Sequence, residues 1–180
     1  MSATIKTNKG RHFFFDNPAA HDYDPEEIAF ALSHINRFTG HAGPYSVAQH
    51  SVHVMSLLPD KLQLCGLLHD AAEAYLGDVA SPLKQLIRPL YKPLEDAVEQ
   101  AIAAQHGLPF PFPPEIKRAD LVMLLSEHRD LMRRNALEGQ DTVHWPQDIK
   151  PVQWKVVPWP ASYAEKQFLY HFERLTRDPR

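Results

Sequence analysis

The chain is poor in sulfur: Cys65 is the single cysteine in 180 residues. That excludes an intramolecular disulfide and leaves a thiolate metal ligand or nucleophile without its usual partner cysteine. Leu62, Leu64, Leu67 and Leu68 surround it in sequence and predict a buried thiol in a reducing compartment. Long apolar runs are missing as well. No stretch approaches the roughly 20 residues needed to cross a bilayer, and Met1–Gly10 is polar where a signal peptide would be apolar. Nor is there a run of one charge. With 19 basic and 22 acidic side chains, the formal charge is −3. That argues against a broad nucleic-acid or membrane surface, though not against a local basic pocket for a small phosphorylated ligand. Together these absences predict a soluble, cytoplasmic protein with no membrane and no stable nucleic-acid partner.

What remains is the composition of an ordinary globular chain, 44% hydrophobic and 23% charged, long enough for one domain with a real core. Residues 1–23 read as an N-terminal tail, 24–134 as the core, and 135–180 as a variable loop and final helix. Asp24-Pro25-Glu26-Glu27 predicts a helix start, with a cap, proline at the first position and acids near the positive dipole end. Ser46-Val47-Ala48-Gln49 has the form of a capping box, opening a helix that runs to Leu58. A third helix is expected from about Lys61 to Leu76, stopped by Gly77. Ser81-Pro82 opens a short segment ending before Pro89, and a further helix spans Pro93 to Gln105. Residues 108–114 form a stiff connector. Another helix runs from Pro114 to about Arg134, and a last one starts at Ser162-Tyr163-Ala164-Glu165, a second capping box. The aromatic run Phe13-Phe14-Phe15 predicts a short strand that packs the tail onto the domain or meets another subunit. Residues 135–160 show no period. Six or seven helices with almost no strand signal imply an all-α bundle.

The 11 histidines need a chemical reason, since neutral imidazole is a common metal ligand and acid–base group. Val47, His50, Val54 and Leu58 share a 3-to-4 spacing, which turns His50 inward. Leu62, Cys65 and Leu68 lead to His69-Asp70 on the next helix, and Asp120 falls between Ile116 and Met123-Leu124. Alone, each histidine reads first as a buried, hydrogen-bonded polar group, and each aspartate equally so. A carboxylate buried without a partner costs several kcal/mol, so Asp120 should have a cation beside it. Two imidazoles and two carboxylates, His50, His69, Asp70 and Asp120, suit one divalent ion such as Co²⁺, Mn²⁺, Fe²⁺, Ni²⁺ or Zn²⁺ better than Ca²⁺ or Mg²⁺. Four protein ligands leave room on an octahedron for water and a substrate oxygen. Glu73 follows His69 by four residues and Asp70 by three, so it shares their helix face. Glu73 is then a candidate to hold or deprotonate a water, or to orient a ligand histidine. Arg37 offers a planar fork suited to phosphate, with a surface salt bridge as the plainer reading. Asp78 reads equally as a turn residue, and Lys84 more readily as an exposed helical lysine. His53 and His128 are candidates to support a ligand, and His34 and His41 to flank the substrate, with a structural role the simpler reading for each. His12, His21, His106, His144 and His171 read as surface or packing residues.

Gln49-His50-Ser51, then Leu67-Leu68-His69-Asp70-Ala71-Ala72-Glu73, then Gly77-Asp78, then Arg118-Ala119-Asp120 resemble the H…HD…D signature of the HD-domain phosphohydrolase superfamily. The resemblance spans roughly residues 24–134 and is nearest to the nucleotide-directed branch with bacterial 5′-deoxynucleotidases and phage dATP triphosphohydrolases. It implies a compact HD-type helical bundle and a metal-dependent hydrolase of deoxynucleotides. The favoured reaction cleaves a dNTP to nucleoside and triphosphate. The alternatives are dNMP hydrolysis and a nucleotide-binding scaffold without turnover. It also implies Arg37 on a phosphate, Phe38 near base or sugar, and Glu73 and Asp78 as the acidic pair that handles water. Ser81 and Lys84 would lie near the phosphates, with Mg²⁺ a further ion on them. Relatives in that branch form dimers or rings, which implies a homo-oligomer. Two departures stand out: Phe38 replaces a frequent tryptophan, and only 18 residues separate His50 from His69.

Overall fold

Asp24 starts the first helix as its chemistry dictates, accepting a hydrogen bond from the Glu26 amide at 2.9 Å, with Pro25 where a missing N–H costs nothing. In the computed structural model, which describes residues 3–132 and 148–177, this helix is α1 (Pro25–His34), followed by α2 (Val47–Ser56), α3 (Asp60–Leu68), the single turn α4 (Glu73–Leu76), α5 (Ser81–Leu86), α6 (Arg88–Gln105), α7 (Pro114–Leu131) and α8 (Ala161–Thr176). The described residues are mostly helical, as the periodicity predicts. The strand at the aromatic run is β2 (His12–Phe14), paired antiparallel with β1 (Thr4–Lys6). Of the three phenylalanines, Phe13 is fully buried and Phe15 packs against the core, so the run fastens the tail to the domain. None of the described helices is long and apolar enough to cross a membrane.

Helix α8 lies across α1, α2 and α3, while α7 packs on α2 and α3 from the other side. Two apolar clusters result. One centres on Phe13, Leu32, Leu67 and Phe168, the other on Tyr45, Val54, Ile116 and Met123. Cys65 is buried in the second, as its leucine neighbours predict, and burial pushes its thiol pKa up. Helices α2 and α3 approach closely at Gly66. A Cβ there would meet Leu58 Cδ1 at 2.3 Å and the Met55 Cα at 3.1 Å.

Several boundaries differ from expectation, each for a local reason. The helix expected over Lys61–Leu76 breaks at His69–Ala72. There, amides bond to the third residue back: Ala71 to Leu68 at 3.0 Å and Glu73 to Asp70 at 3.0 Å. The helix expected from Pro93 instead begins at Arg88. Pro89 occupies the first turn, where no amide partner is needed, and Pro93 costs one ladder bond without ending the helix. Ser46 caps α2 by accepting from Gln49 N at 3.2 Å, but the Gln49 side chain does not close the box. It donates to Val157 O at 2.8 Å and accepts from the Trp159 amide at 2.8 Å, sewing the segment after residue 148 onto α2. His53 lies there against Trp154 and Trp159 with its ring tilted to both, a packing role. At α8 the cap position falls on Pro160 and not on Ser162, because the helix begins at Ala161. The Pro160 carbonyl accepts from the amides of Tyr163 and Ala164. Half of the aperiodic 135–160 stretch, with His144, lies outside the described residues, as do the last residues expected in α7.

A buried carboxylate ties the hairpin to the bundle. Glu27, on α1, accepts from Tyr75 OH at 3.1 Å and from Arg11 Nη2 at 3.1 Å, and lies 2.8 Å from His21 Nε2. Burial alone would raise its pKa. These partners outweigh burial and hold it below the ordinary 4.5.

Two stability outcomes follow from this packing. Gly66→Ala should lower the unfolding free energy by about 1–3 kcal/mol in urea titrations, because the Met55 backbone cannot move aside as a side-chain end can. Glu27 contributes stability above its unfolded pKa and loses it as pH falls through its lower folded value. Glu27→Gln should therefore melt below the wild type at pH 7, with the gap narrowing toward pH 3. A gap that stays constant would show that the charge is irrelevant.

Candidate metal centre

Three sharply different pieces of backbone converge on one point. Helix α2 supplies His50, the tightened turn after α3 supplies His69 and Asp70, and α7 supplies Asp120. Ligand atoms of His50, His69 and Asp120 lie within 4.8 Å of one another. Asp70 Oδ2 is 3.5 Å from His50 Nε2 and 3.3 Å from His69 Nε2, and Asp120 Oδ1 is 3.3 Å from His50 Nε2. All four residues expected to ligate a metal therefore meet. The break in the helix does not separate His69 and Asp70 from the others.

The imidazoles have the chemistry a metal ligand needs. His69 Nδ1 lies 2.8 Å from the Gly66 carbonyl. A carbonyl only accepts, so Nδ1 carries the hydrogen and Nε2 keeps its lone pair. His50 Nδ1 lies 2.6 Å from Oε1 of Glu127, which leaves its Nε2 for the centre in the same way. Both Nε2 atoms are buried and have no hydrogen-bond partner among the described residues. Such orphaned, inward nitrogens flanked by carboxylates fit a divalent cation. Burial lowers the His69 pKa, with His50 adding to it, which favours the neutral ligand form. For His50, burial and Arg37 act downward, but Glu127 and Asp120 prevail and raise it to about 9. A metal would then replace a proton on Nε2. Burial should raise Asp120, yet His50 and His69 pull it well below the carboxylate range.

Arg37 reaches the centre from a pinned loop. Its amide donates to Tyr45 O at 2.9 Å and the Val47 amide to Ile35 O at 2.9 Å, so the loop between α1 and α2 is closed at its base. Its guanidinium puts one terminal nitrogen 3.5 Å from Asp70 Oδ2 and stands 5.7 Å from the centroid of the Phe38 ring. Phe38 and Thr39 both have positive φ, 56° and 54°. That conformation is costly for a bulky side chain and is retained where surrounding contacts impose it. Glu73 is buried, with Oε2 unpartnered among the described residues and Oε1 3.5 Å from Lys84 Nζ. Burial and the charges of Asp70 and Asp78 raise its pKa well above 4.5. Asp78 is half-buried, and burial raises it too. Lys84 bridges Glu73 and Glu95, the latter at 2.9 Å, with Gln85, Arg88 and Lys92 lining a cavity of about 170 Å³ beside it. Ser81 is exposed at the first residue of α5 and has no polar contact to the centre among the described residues. His34 and His41 are exposed.

Sequence reasoning missed Glu127 and Tyr45. Glu127 is fully buried and accepts from Arg37 Nε at 3.0 Å and Tyr45 OH at 2.8 Å while holding His50. The signal was present. Glu127 follows Asp120 by seven residues, about two helical turns, so it occupies the same face of α7. His128, the neighbouring position singled out in sequence, is one step off that stripe. Tyr45 carried no such signal, since it ends an irregular loop.

Fold and site define an all-α protein with a buried His/Asp centre able to hold a divalent cation. No protein-family model matches the chain. It is 38% identical over 176 residues to the uncharacterized protein YfdR of Escherichia coli K12, covering 96% of this chain and 95% of that protein. The chain belongs to the same family as YfdR. It is also 36% identical over 120 residues, 61% of each chain, to the uncharacterized protein RCAP_rcc00048 of Rhodobacter capsulatus.

Metal binding has a direct thermodynamic readout. Mn²⁺ or Co²⁺ at a hundredfold excess over Kd should stabilise the protein by about 2.7 kcal/mol, seen as a rise in Tm. His69→Ala and Asp120→Ala should abolish that rise; an undiminished rise in both would place the ion elsewhere.

Proposed function

We propose that this protein is a metal-dependent phosphohydrolase of deoxynucleotides, of the HD-domain type that its sequence resembles. The observation that carries the reading is the convergence of His50, His69, Asp70 and Asp120 with Arg37 beside them and Glu73, three residues after Asp70, whose buried Oε2 has no hydrogen-bond partner among the described residues. The donor set suits one ion among Co²⁺, Mn²⁺, Fe²⁺, Ni²⁺ and Zn²⁺. Such an ion would supply Lewis acidity toward a phosphoryl oxygen and make water a stronger acid.

The chain's own residues do the rest. Arg37 presents its guanidinium to the phosphate oxygens, held at its Nε by Glu127. Phe38, beside it, offers an aromatic face to sugar or base. Glu73, with Asp78 near it, takes the proton of the attacking water. A bond forms from water oxygen to the α-phosphorus, and the bond to the nucleoside 5′-oxygen breaks. The 5′-oxygen leaves as an alcohol, taking up the proton that Glu73 removed from the water. A dNTP then gives nucleoside and triphosphate, and the cavity beside Glu73, lined by Lys84, Arg88 and Lys92 together with Glu95, is the space the longer substrate would use.

The test incubates metal-free protein with dNTPs, NTPs, dNMPs and bis-p-nitrophenyl phosphate, each with Mn²⁺, Co²⁺, Mg²⁺ or Zn²⁺, and separates the products. Nucleoside plus triphosphate is the expected outcome. Nucleoside plus phosphate from dNMPs alone moves the reading to the monophosphates, and no metal-dependent product overturns it. Glu73→Ala should lose at least a hundredfold in kcat, within the range of acid–base contributions, while still binding metal. Wild-type turnover in that variant removes Glu73 from the mechanism.

A further inference from the structure

Glu127 lies at the meeting point of two functions that the proposed reaction keeps separate. Its Oε1 receives the His50 Nδ1–H at 2.6 Å and Tyr45 OH at 2.8 Å, and its Oε2 receives Arg37 Nε at 3.0 Å. All four side chains are buried. Each contact fixes a different degree of freedom. The bond to Nδ1 sets the His50 ring plane and its tautomer, so that Nε2 faces Asp70 and Asp120. The bond to Nε holds the guanidinium by its inner edge and leaves a terminal nitrogen toward Asp70, 3.5 Å away. Tyr45 is bonded through its backbone to Arg37 and through its hydroxyl to Glu127, so loop and carboxylate form a closed circuit.

We infer that Glu127 is a positioning residue that couples the metal ligand His50 to the anion-binding Arg37, so that one buried carboxylate sets both the metal-binding and the phosphate-binding geometry. This rests on the metal centre and on Arg37 as the phosphate fork. A carboxylate is required, because three donors converge on two oxygens that must all accept. An amide of the same shape offers one accepting oxygen and turns an N–H toward a donor. A glutamate serving only packing would have no need of this arrangement.

The test uses Glu127→Gln and Glu127→Asp in the full chain, with metal affinity measured by titration calorimetry with Mn²⁺ alone, independently of turnover. Glu127→Gln should bind Mn²⁺ about 10–100-fold more weakly. At saturating metal it should still show a raised KM, with kcat less affected, because Arg37 is no longer aimed. Glu127→Asp should recover part of both losses. Wild-type Mn²⁺ affinity and KM in Glu127→Gln, with only a lowered Tm, would make the residue purely structural and overturn the inference. The wild type supplies a second measurement if Glu127→Gln does not fold. In proton NMR the His50 Nδ1–H on Glu127 should give a far-downfield signal that persists when Zn²⁺, a diamagnetic ion, is bound. Loss of that signal on Zn²⁺ binding would mean that Nδ1 itself ligates, and would also overturn it. An absence of any turnover in the wild type would refute the proposed reaction but leave the metal-affinity result standing.

Discussion

The carboxylate of Glu127 has no access to water and accepts three hydrogen bonds, two from cationic or readily protonated groups. Burying a charge this deeply costs several kcal/mol unless partners recover it, and here they do. Burial would raise Glu127, yet His50 and Arg37 bring it down to about 2. The surrounding architecture is arranged around this recovery. Helix α7 must lie against α2 so that Glu127 reaches His50, and the loop before α2 must close on itself so that Arg37 and Tyr45 face the same point. The second apolar cluster, with Tyr45, Val54, Ile116 and Met123, draws on the same helices, α2 and α7, that carry His50 and Glu127.

The break between α3 and α4 has a comparable logic. A continuous α-helix would carry His69 and Asp70 on through a full turn, with Glu73 stacked over them. At this tightened turn His69 hydrogen-bonds the Gly66 carbonyl through Nδ1, and both His69 and Asp70 stand beside His50. Irregularity of this kind inside helical sequence often marks a functional position. The paired positive-φ residues Phe38 and Thr39 are a second case, again beside the centre. Strain and irregularity gather where groups must be aimed, while the helices farther out follow their caps.

The segment after residue 148 shows how a sequence without period can still be specified. Nothing in its pattern predicts an element. Yet Arg129 donates to Val152 O and Trp154 O, Asp130 accepts from the Val156 amide, and Gln49 holds Val157 and Trp159. Its backbone groups find partners on α7 and α2 instead of on each other. These are long-range bonds, and a local reading of the chain has no means of finding them.

The sequence by itself determined the helical class, the inward faces of α2 and α7, and the order of His50, His69, Asp70 and Asp120. Apolar spacing and cap chemistry are local properties, and a polar residue on an apolar stripe is conspicuous. Tertiary structure alone decided that Glu127, at an equally inward position, joins His50 to Arg37, that Gln49 serves the 148–160 segment and not its own capping box, and that the third helix breaks at the metal centre. Each of these depends on which partner arrives from a distant part of the chain. A buried polar group's role is set by that partner, and no period in the sequence encodes it.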